Sequence, residues 1–332
     1  MKKVFKSTAV TLLLITIITI LQACASKEPD KVVIYTNSDE EAIEVIQNTL
    51  NKNGYENQYI LQSFGTSELG GKLMTEGSEI EADLVTMSSY FIESAQEKHN
   101  MFEDITFETN SLKKYQSYYA PILAITGALF INTEVIKEKS LPIPTSIKDL
   151  TKIEYKNLVS IPNILDSSTG WLLTQAIISE YGMEEGGIVL KGLIENCGPH
   201  IESSGSAPIK KVRSGEVAIG FGLRHQAIND KLEGKPIDYI DPNEGNFSLT
   251  ESIAVVKKDD NKTKIAMEMA EVIIKEARKD LIKNYPVILY EGEDISQEYK
   301  AINSKEFKEP LKVKLLEEHQ EFFKKARLAL NK

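Results

Sequence analysis

Apolar and polar positions follow a repeating order along this chain: a short β-branched run, a turn rich in hydroxyls, then a stretch with helical spacing. Val32-Val33-Ile34-Tyr35 stops in Thr36-Asn37-Ser38-Asp39, and residues 40–51 have the apolar spacing of an amphipathic helix. A second strand is predicted over 59–64, closing in Gly65-Thr66-Ser67 before a helix around 68–75. A third, over 82–87, closes in Ser88-Ser89-Tyr90 before another helix. Successive strands thus end in turns that open helices. In an open α/β sheet such turns gather at the carboxyl edge, where ligands bind.

Residues 121–132 form a long apolar stretch, suited to extended strands crossing between lobes rather than to a helix. Strands are predicted again at 158–162, 216–223 and 237–240, with a helix over 171–181, an extended return at 247–256, and a charged, helix-rich remainder. The chain therefore leaves a first lobe once and comes back once. This predicts an α/β, two-lobed fold with two hinge crossings and a central ligand cleft, lobe 1 being 31–122 plus 252–332 and lobe 2 being 123–251.

The first residues read as an address. Lys2, Lys3 and Lys6 precede an apolar run over 9–21, the pattern of a secretion signal over 1–23 and too short to span a bilayer. It ends in Leu21-Gln22-Ala23-Cys24, which resembles a bacterial lipobox, so Cys24 is expected to carry lipid and residues 24–30 to be a polar tether. The body is then extracytoplasmic, held at the cell surface or in the periplasm by its lipid anchor alone.

Composition narrows the function. Lys and Arg number 39 against 49 Asp and Glu, a net charge of −10, and loss of the signal leaves 36 against 49, or −13. With no basic stripe interleaved with aromatics, nucleic acid is excluded as a partner. With Cys24 lipidated, Cys197 has no intramolecular disulfide partner and reads as a helix-end residue. His99, His200, His225 and His319 are scattered, and no HExxH, Gly-x-Ser-x-Gly or Walker sequence occurs, so neither catalysis nor a metal or cofactor site is predicted.

The candidate chemistry lies in the turns. Asp166-Ser167-Ser168-Thr169-Gly170 precedes a helix, where a cap hydroxyl, free backbone N–H groups and the positive dipole end suit an anion, and Gly170 lets the backbone approach it. Ser203-Ser204-Gly205-Ser206-Ala207-Pro208, with Lys210 and Lys211 nearby, is a second such turn. Each alone reads as a helix cap. Together with Thr36, Ser38, Thr66, Ser67 and Ser88 they predict a cleft that binds an oxyanion with neutral donors. Arg224, at the end of the 216–223 strand beside His225 and Gln226, is placed to grip a phosphate or carboxylate, or else to pair with an acid. Glu251, on the returning strand, is a candidate acceptor for a ligand amine or hydroxyl, or a hinge carboxylate.

The lipobox, the opening Val-Val-Ile-Tyr-Thr-Asn-Ser, Gly65-Thr66-Ser67, Ala82-Asp83-Leu84-Val85, Ser167-Ser168-Thr169-Gly170 and Gly205-Ser206-Ala207-Pro208 before Gly215-Glu216-Val217-Ala218-Ile219-Gly220 together resemble type II solute-binding proteins of ABC importers. The resemblance covers nearly the whole mature chain and is closest to the branch of ferric-ion, 2-aminoethylphosphonate and hexose-phosphate binding proteins. It implies a monomer that delivers a small ligand to a permease and its ATPase; a sensor lipoprotein would share the fold and site. It makes Ser167, Ser168, Thr169 and Gly170 phosphoryl contacts, with Thr36, Ser38, Thr66, Ser67 and Ser88 facing them. In the ferric branch adjacent tyrosines follow the strand that corresponds to 216–223; Arg224-His225-Gln226 stands there instead, and Tyr118-Tyr119 does not match. The resemblance therefore points first to 2-aminoethylphosphonate, with Glu251 reading the ammonium group. Second is a hexose phosphate, with His225 and Gln226 on the sugar hydroxyls, and ferric ion or thiamine come after.

Overall fold

The computed structural model describes residues 31–258 and 260–330. The expected signal, Cys24 and the tether lie outside the described residues. The order is β1 (Val32–Thr36), α1 (Glu40–Leu50), β2 (Tyr59–Ser63), α2 (Thr66–Glu76), β3 (Leu84–Ser88), α3 (Ser89–His99), β4 (Ala120–Asn132) and α4 (Thr133–Glu138). Then follow β5 (Val159–Pro162), α5 (Ser168–Cys197), β6 (Ile201–Glu202), α6 (Ala207–Arg213), β7 (Ile219–Leu223) and α7 (Arg224–Leu232). The chain closes with β8 (Ile237–Ile240), β9 (Ser248–Val255), α8 (Asp260–Val272), α9 (Arg278–Asn284) and α10 (Val313–Leu328).

One curled sheet runs β2-β1-β3-β9-β4-β7-β5-β6, with β8 also on β4. β1, β2 and β3 are parallel, as are β5, β6 and β7, and every residue of β1, β3, β5 and β7 is buried, as expected where helices cover both faces. β4 is the long element that joins the halves. Its residues 120–126 pair with β9, and from Gly127 to Ile131 it pairs with β7 instead. Ser88 at the end of β3 lies opposite Glu251, which lies opposite Leu123, while Leu223 at the end of β7 lies opposite Gly127. The carboxyl ends of both parallel groups therefore converge on the middle of β4, and that is where a cleft opens.

The helix expected over 171–181 is interrupted as expected but resumes. Gly182, at φ 68° and ψ −172°, takes a conformation that glycine alone adopts freely, and α5 restarts beyond this kink to reach Cys197.

The C-terminal region differs from expectation in two ways. Between α9 and α10 the chain is largely irregular rather than helical, and distant segments satisfy part of its backbone: Glu291 N donates to Asn110 O (2.8 Å), Asn246 N to Asn303 O (2.8 Å) and Lys305 N to Asn246 O (2.9 Å). Nor does α10 belong wholly to the first lobe. Its start accepts a cap from α3, Val313 N donating to Ser94 Oγ (3.3 Å), but its body packs along α5, where Trp171 Nε1 donates to His319 Nδ1 (2.8 Å). Burial pushes His319 down to about 4, so it stays neutral and can accept.

Candidate functional site

A cleft of about 580 Å³ lies where the strand ends converge. Its first wall is made by the β1–α1 turn (Asn37, Ser38, Asp39) and the β2–α2 turn with Thr66; its second by Ser167, Ser168 and Thr169 at the start of α5 and by Ser203 to Ser206 before α6, with Lys210. Leu123, Ile125, Leu223, Glu251 and Tyr285 form the floor.

The second wall is neutral and hydroxyl-rich. Ser167 is the cap of α5, its Oγ accepting from Thr169 N (3.3 Å). Gly205 lets the two serine turns meet: a Cβ there would stand 2.0 Å from Thr169 Oγ1. Across the cleft the first turn of α2 has no side-chain cap, so its backbone donors remain available. Helix N-termini from the two lobes thus face one space, with Lys210 beside them.

The first wall and floor are acidic. Glu251 is 5% exposed; Ser88 Oγ donates to its Oε1 (2.6 Å), and the Asn37 amide nitrogen faces its Oε2 (3.1 Å) while the amide oxygen faces Thr66 Oγ1 (3.1 Å). Burial pushes the Glu251 carboxyl up to about 7, with a push from nearby Asp39, against the pull of the Ser88 and Asn37 hydrogen bonds. Asp39 caps α1 by accepting from Ala42 N (3.3 Å) and also accepts from the Tyr285 hydroxyl. Burial raises both Asp39 and Tyr285 above their ordinary ranges.

Of the residues expected at a ligand, Ser38, Thr66, Ser167, Ser168, Thr169, Ser206 and Glu251 line the cleft. Six do not, and each has other work. Thr36 is buried, its Oγ1 accepting from Ser38 N (3.0 Å) and Thr86 Oγ1 (2.6 Å), so it shapes the turn from behind. Ser88 is spent on Glu251. Ser67 Oγ donates to Leu165 O (2.5 Å), a link from one lobe to the other. Gly170 is required by packing rather than by a ligand, since a Cβ would stand 2.5 Å from Ile164 N. Arg224 is 3% exposed and grips Asp241 through Nε (2.7 Å) and Nη2 (3.0 Å), while Nη1 donates to Tyr299 O (2.8 Å); it ties down the C-terminal segment. His225 is buried with its ring 4.9 Å from that of Tyr285, and burial pushes it down to about 3, so it backs Tyr285 as a neutral ring. Sequence reasoning missed Asp39, which reads as an ordinary cap, and Tyr285, which no local pattern marks.

Residues 81–309 match the family described as bacterial extracellular solute-binding protein. An uncharacterized protein of Haemophilus influenzae is 27% identical over 128 residues, which span 38% of this chain and 37% of that protein's length. Among solved structures, a periplasmic thiamin binding protein superposes with a TM-score of 0.73 at 14% identity, covering 91% of this chain and 98% of that one. Iron-bound HitA from Pseudomonas aeruginosa gives 0.69 at 19% identity, covering 90% and 99%. AfuA from Actinobacillus pleuropneumoniae, with exogenous fructose-6-phosphate bound, gives 0.66 at 19% identity, covering 78% and 84%. These identities carry the fold and leave the ligand open. With a matched region spanning most of the body and a type II periplasmic-binding-protein fold around a central cleft, the chain belongs to the bacterial extracellular solute-binding protein family.

Proposed function

We propose that this protein is the extracytoplasmic receptor of an ABC importer and captures a small organophosphorus anion, with 2-aminoethylphosphonate as the first candidate. One observation carries the reading: two serine turns, one before α5 and one before α6, close together at Gly205 and Thr169, lie beside Lys210 and face the uncapped first turn of α2. Neutral hydroxyls and amides replace the water of a phosphoryl group without the cost of burying a full counter-charge. Closure of the lobes over the ligand, with a hinge at the partner switch of β4, would present one surface to the permease. Cys24 anchors the protein, and Cys24→Ser should release it from the membrane.

Ferric ion is the poorer fit. Tyr285, the phenol that lines the cleft, donates its proton to Asp39 and is held above its ordinary range, away from the phenolate that a hard trivalent cation requires. A hexose phosphate is the second reading, favoured by size. A volume of about 580 Å³ holds on the order of twenty waters at about 30 Å³ each, ample for a sugar ring beside the phosphate.

Thermal unfolding against 2-aminoethylphosphonate, glucose 6-phosphate, inorganic phosphate, ferric citrate and thiamine tests the proposal. A ligand at about a hundred times its Kd adds roughly 2.7 kcal/mol. A shift with a phosphorylated compound, weakened by Ser168→Ala or Thr169→Ala, is the expected result. Response to iron or thiamine alone would reduce the serine turns to caps.

A further inference from the structure

The turn that carries Ser167, Ser168 and Thr169 is held from outside the cleft. The loop leading into it offers two consecutive carbonyls: Ile164 O accepts from Gln320 Nε2 of α10 (3.2 Å), and Leu165 O accepts from Ser67 Oγ at the start of α2 (2.5 Å). Asn163 O accepts from Ser167 N (2.9 Å), and a Cβ on Gly170 would stand 2.5 Å from Ile164 N, so loop and helix start are in direct backbone contact. On the far flank, Trp171 is fully buried and its Nε1 donates to His319 Nδ1, also of α10 (2.8 Å). An indole N–H can only donate, so Nδ1 is the unprotonated nitrogen of a neutral ring. Two consecutive residues of α10 thus grip the turn at both its flanks, and neither lines the cleft. α10 is itself fixed to the first lobe. Val313 N donates to Ser94 Oγ (3.3 Å), Ser94 Oγ donates to Tyr90 O (2.7 Å), and the Tyr90 ring meets Trp171 edge-on at 4.7 Å.

A hydroxyl or amide supports an oxyanion only at the right distance and angle, since such bonds weaken steeply below about 120°. The Ser167 cap orients its own helix start and cannot place that start relative to the facing wall. We infer that His319 and Gln320 are positioning residues: α10 sets where Ser167, Ser168 and Thr169 stand across from α2, and so how tightly the cleft holds an oxyanion. This rests on the organophosphorus reading for the ligand that the turn meets. His319 allows the hydrogen bond to be separated from packing. Leu is apolar and favours a helix but orphans the Trp171 N–H; Asn carries an acceptor oxygen on Cγ, where His carries Nδ1, yet is the poorer helix former and loses the ring contact with Phe307 at 5.3 Å. Packing therefore ranks Leu above Asn, and positioning through Trp171 ranks Asn above Leu.

The test is calorimetry with 2-aminoethylphosphonate and, without ligand, amide hydrogen exchange, both on full-length protein in detergent. His319→Leu should weaken binding about tenfold, the low end of what is lost on removing a group that orients a metal ligand, and His319→Asn by no more than about twofold. Gln320→Ala should weaken binding in the same direction. Exchange over 163–171 should be faster in His319→Leu than in wild type or His319→Asn, with the rest of the second lobe unchanged. The chain's one tryptophan reads the bond directly, because loss of the acceptor moves Trp171 emission to shorter wavelength. Wild-type affinity in both His319→Leu and Gln320→Ala, or equal weakening in His319→Leu and His319→Asn, overturns the positioning role and leaves the organophosphorus reading intact. If 2-aminoethylphosphonate, glucose 6-phosphate and inorganic phosphate all fail to bind the wild type, that reading fails and exchange decides: faster opening over 163–171 in His319→Leu but not in His319→Asn sustains placement by α10, and equal exchange in all three proteins overturns it. Should His319→Leu not fold, Gln320→Ala decides on the same two measurements.

Discussion

Replacing Glu251 by Gln should make the unliganded protein more stable at alkaline pH and leave it nearly unchanged in acid. The folded carboxyl binds its proton with a pKa of about 7 against 4.5 when exposed. Between those values the folded state holds more protons than the unfolded one, so stability falls as pH rises. The contribution is favourable below 4.5, erodes through the interval, and is fully lost above about 7. At 1.36 kcal/mol per pH unit the gap amounts to about 3 kcal/mol. Gln keeps the acceptor for Ser88 Oγ, and Asn37 can reverse its amide so that its nitrogen meets Thr66 Oγ1 at 3.1 Å while its oxygen receives the new amide. The substitution therefore removes the charge without orphaning a partner. With an unfolding entropy of about 2.1 cal/mol/K per residue over roughly 300 residues, 3 kcal/mol corresponds to about 5 °C. The assay is thermal unfolding of both proteins without ligand from pH 5 to 8.5. Other titrating groups, Asp39 and Glu41 among them, cancel in the difference to the extent that they do not couple to Glu251. A difference that grows from near zero at pH 5 to several degrees at pH 8 is expected. Parallel curves would refute the argument, since they would mean that Glu251 is solvated or paired in the folded protein.

Arg224→Met should lower stability by about 3–5 kcal/mol by stranding buried Asp241, with phosphonate affinity within about twofold; weak binding at an unchanged melting temperature would return Arg224 to the ligand. Gly170→Ala should cost about 1–3 kcal/mol in denaturant unfolding through its clash with the Asn163–Ile164 backbone, and a neutral result would show that α5 can shift. Ser67→Ala removes the donor to Leu165 O, worth about 0.5–1.5 kcal/mol, and calorimetry should show every ligand weakened by a similar factor; loss confined to one ligand would make Ser67 a contact. His225→Ala and Tyr285→Phe should both weaken amine binding and combine less than additively in a double-mutant cycle, because both act on Asp39; strict additivity would separate them.

The strands, the crossings and most of the turns were legible because they depend on local pattern. β1, β2, β3 and β5 follow from β-branched runs bounded by Ser, Thr and Gly, and the long β4 from an apolar stretch that no single helix would explain. What the pattern could not carry was side-chain direction at a strand end. Arg224 and His225 follow β7 immediately, yet α7 starts there and turns both inward, one to Asp241 and the other to Tyr285. Their true partners lie 17 and 60 positions away, where local sequence carries no trace of the contact. Asp39 was hidden for the opposite reason. As a helix cap it satisfies a local rule completely, and only the three-dimensional neighbourhood shows that Tyr285 and Glu251 converge on the same space. The fate of the last segment was likewise invisible, because apart from local turns its hydrogen bonds reach residues far off in sequence, near 110–112 and 243–246.

The cleft's neutral and acidic groups differ in what they cost the protein without a ligand. A hydroxyl or backbone amide that solvates an oxyanion is cheap to keep while the cleft is open, since water replaces the ligand at little cost. A buried carboxylate is not, and Glu251 answers by holding its proton to near neutral pH. The floor is therefore the part of the site that a ligand changes most. On the organophosphorus reading proposed above, the serine wall would support any phosphoryl compound, and a ligand that also brings a positive charge would relieve the buried Glu251. On the same reading, discrimination would fall to Glu251 and Asp39, and retention of the oxyanion to the start of α5. His225 and Ser88 set the geometry of the first pair, and Gly205 and Gly170 that of the second wall. Fewer of the expected residues line the cleft than the sequence suggests, and those that do not, Arg224 and Gly170 among them, hold neighbouring segments in place.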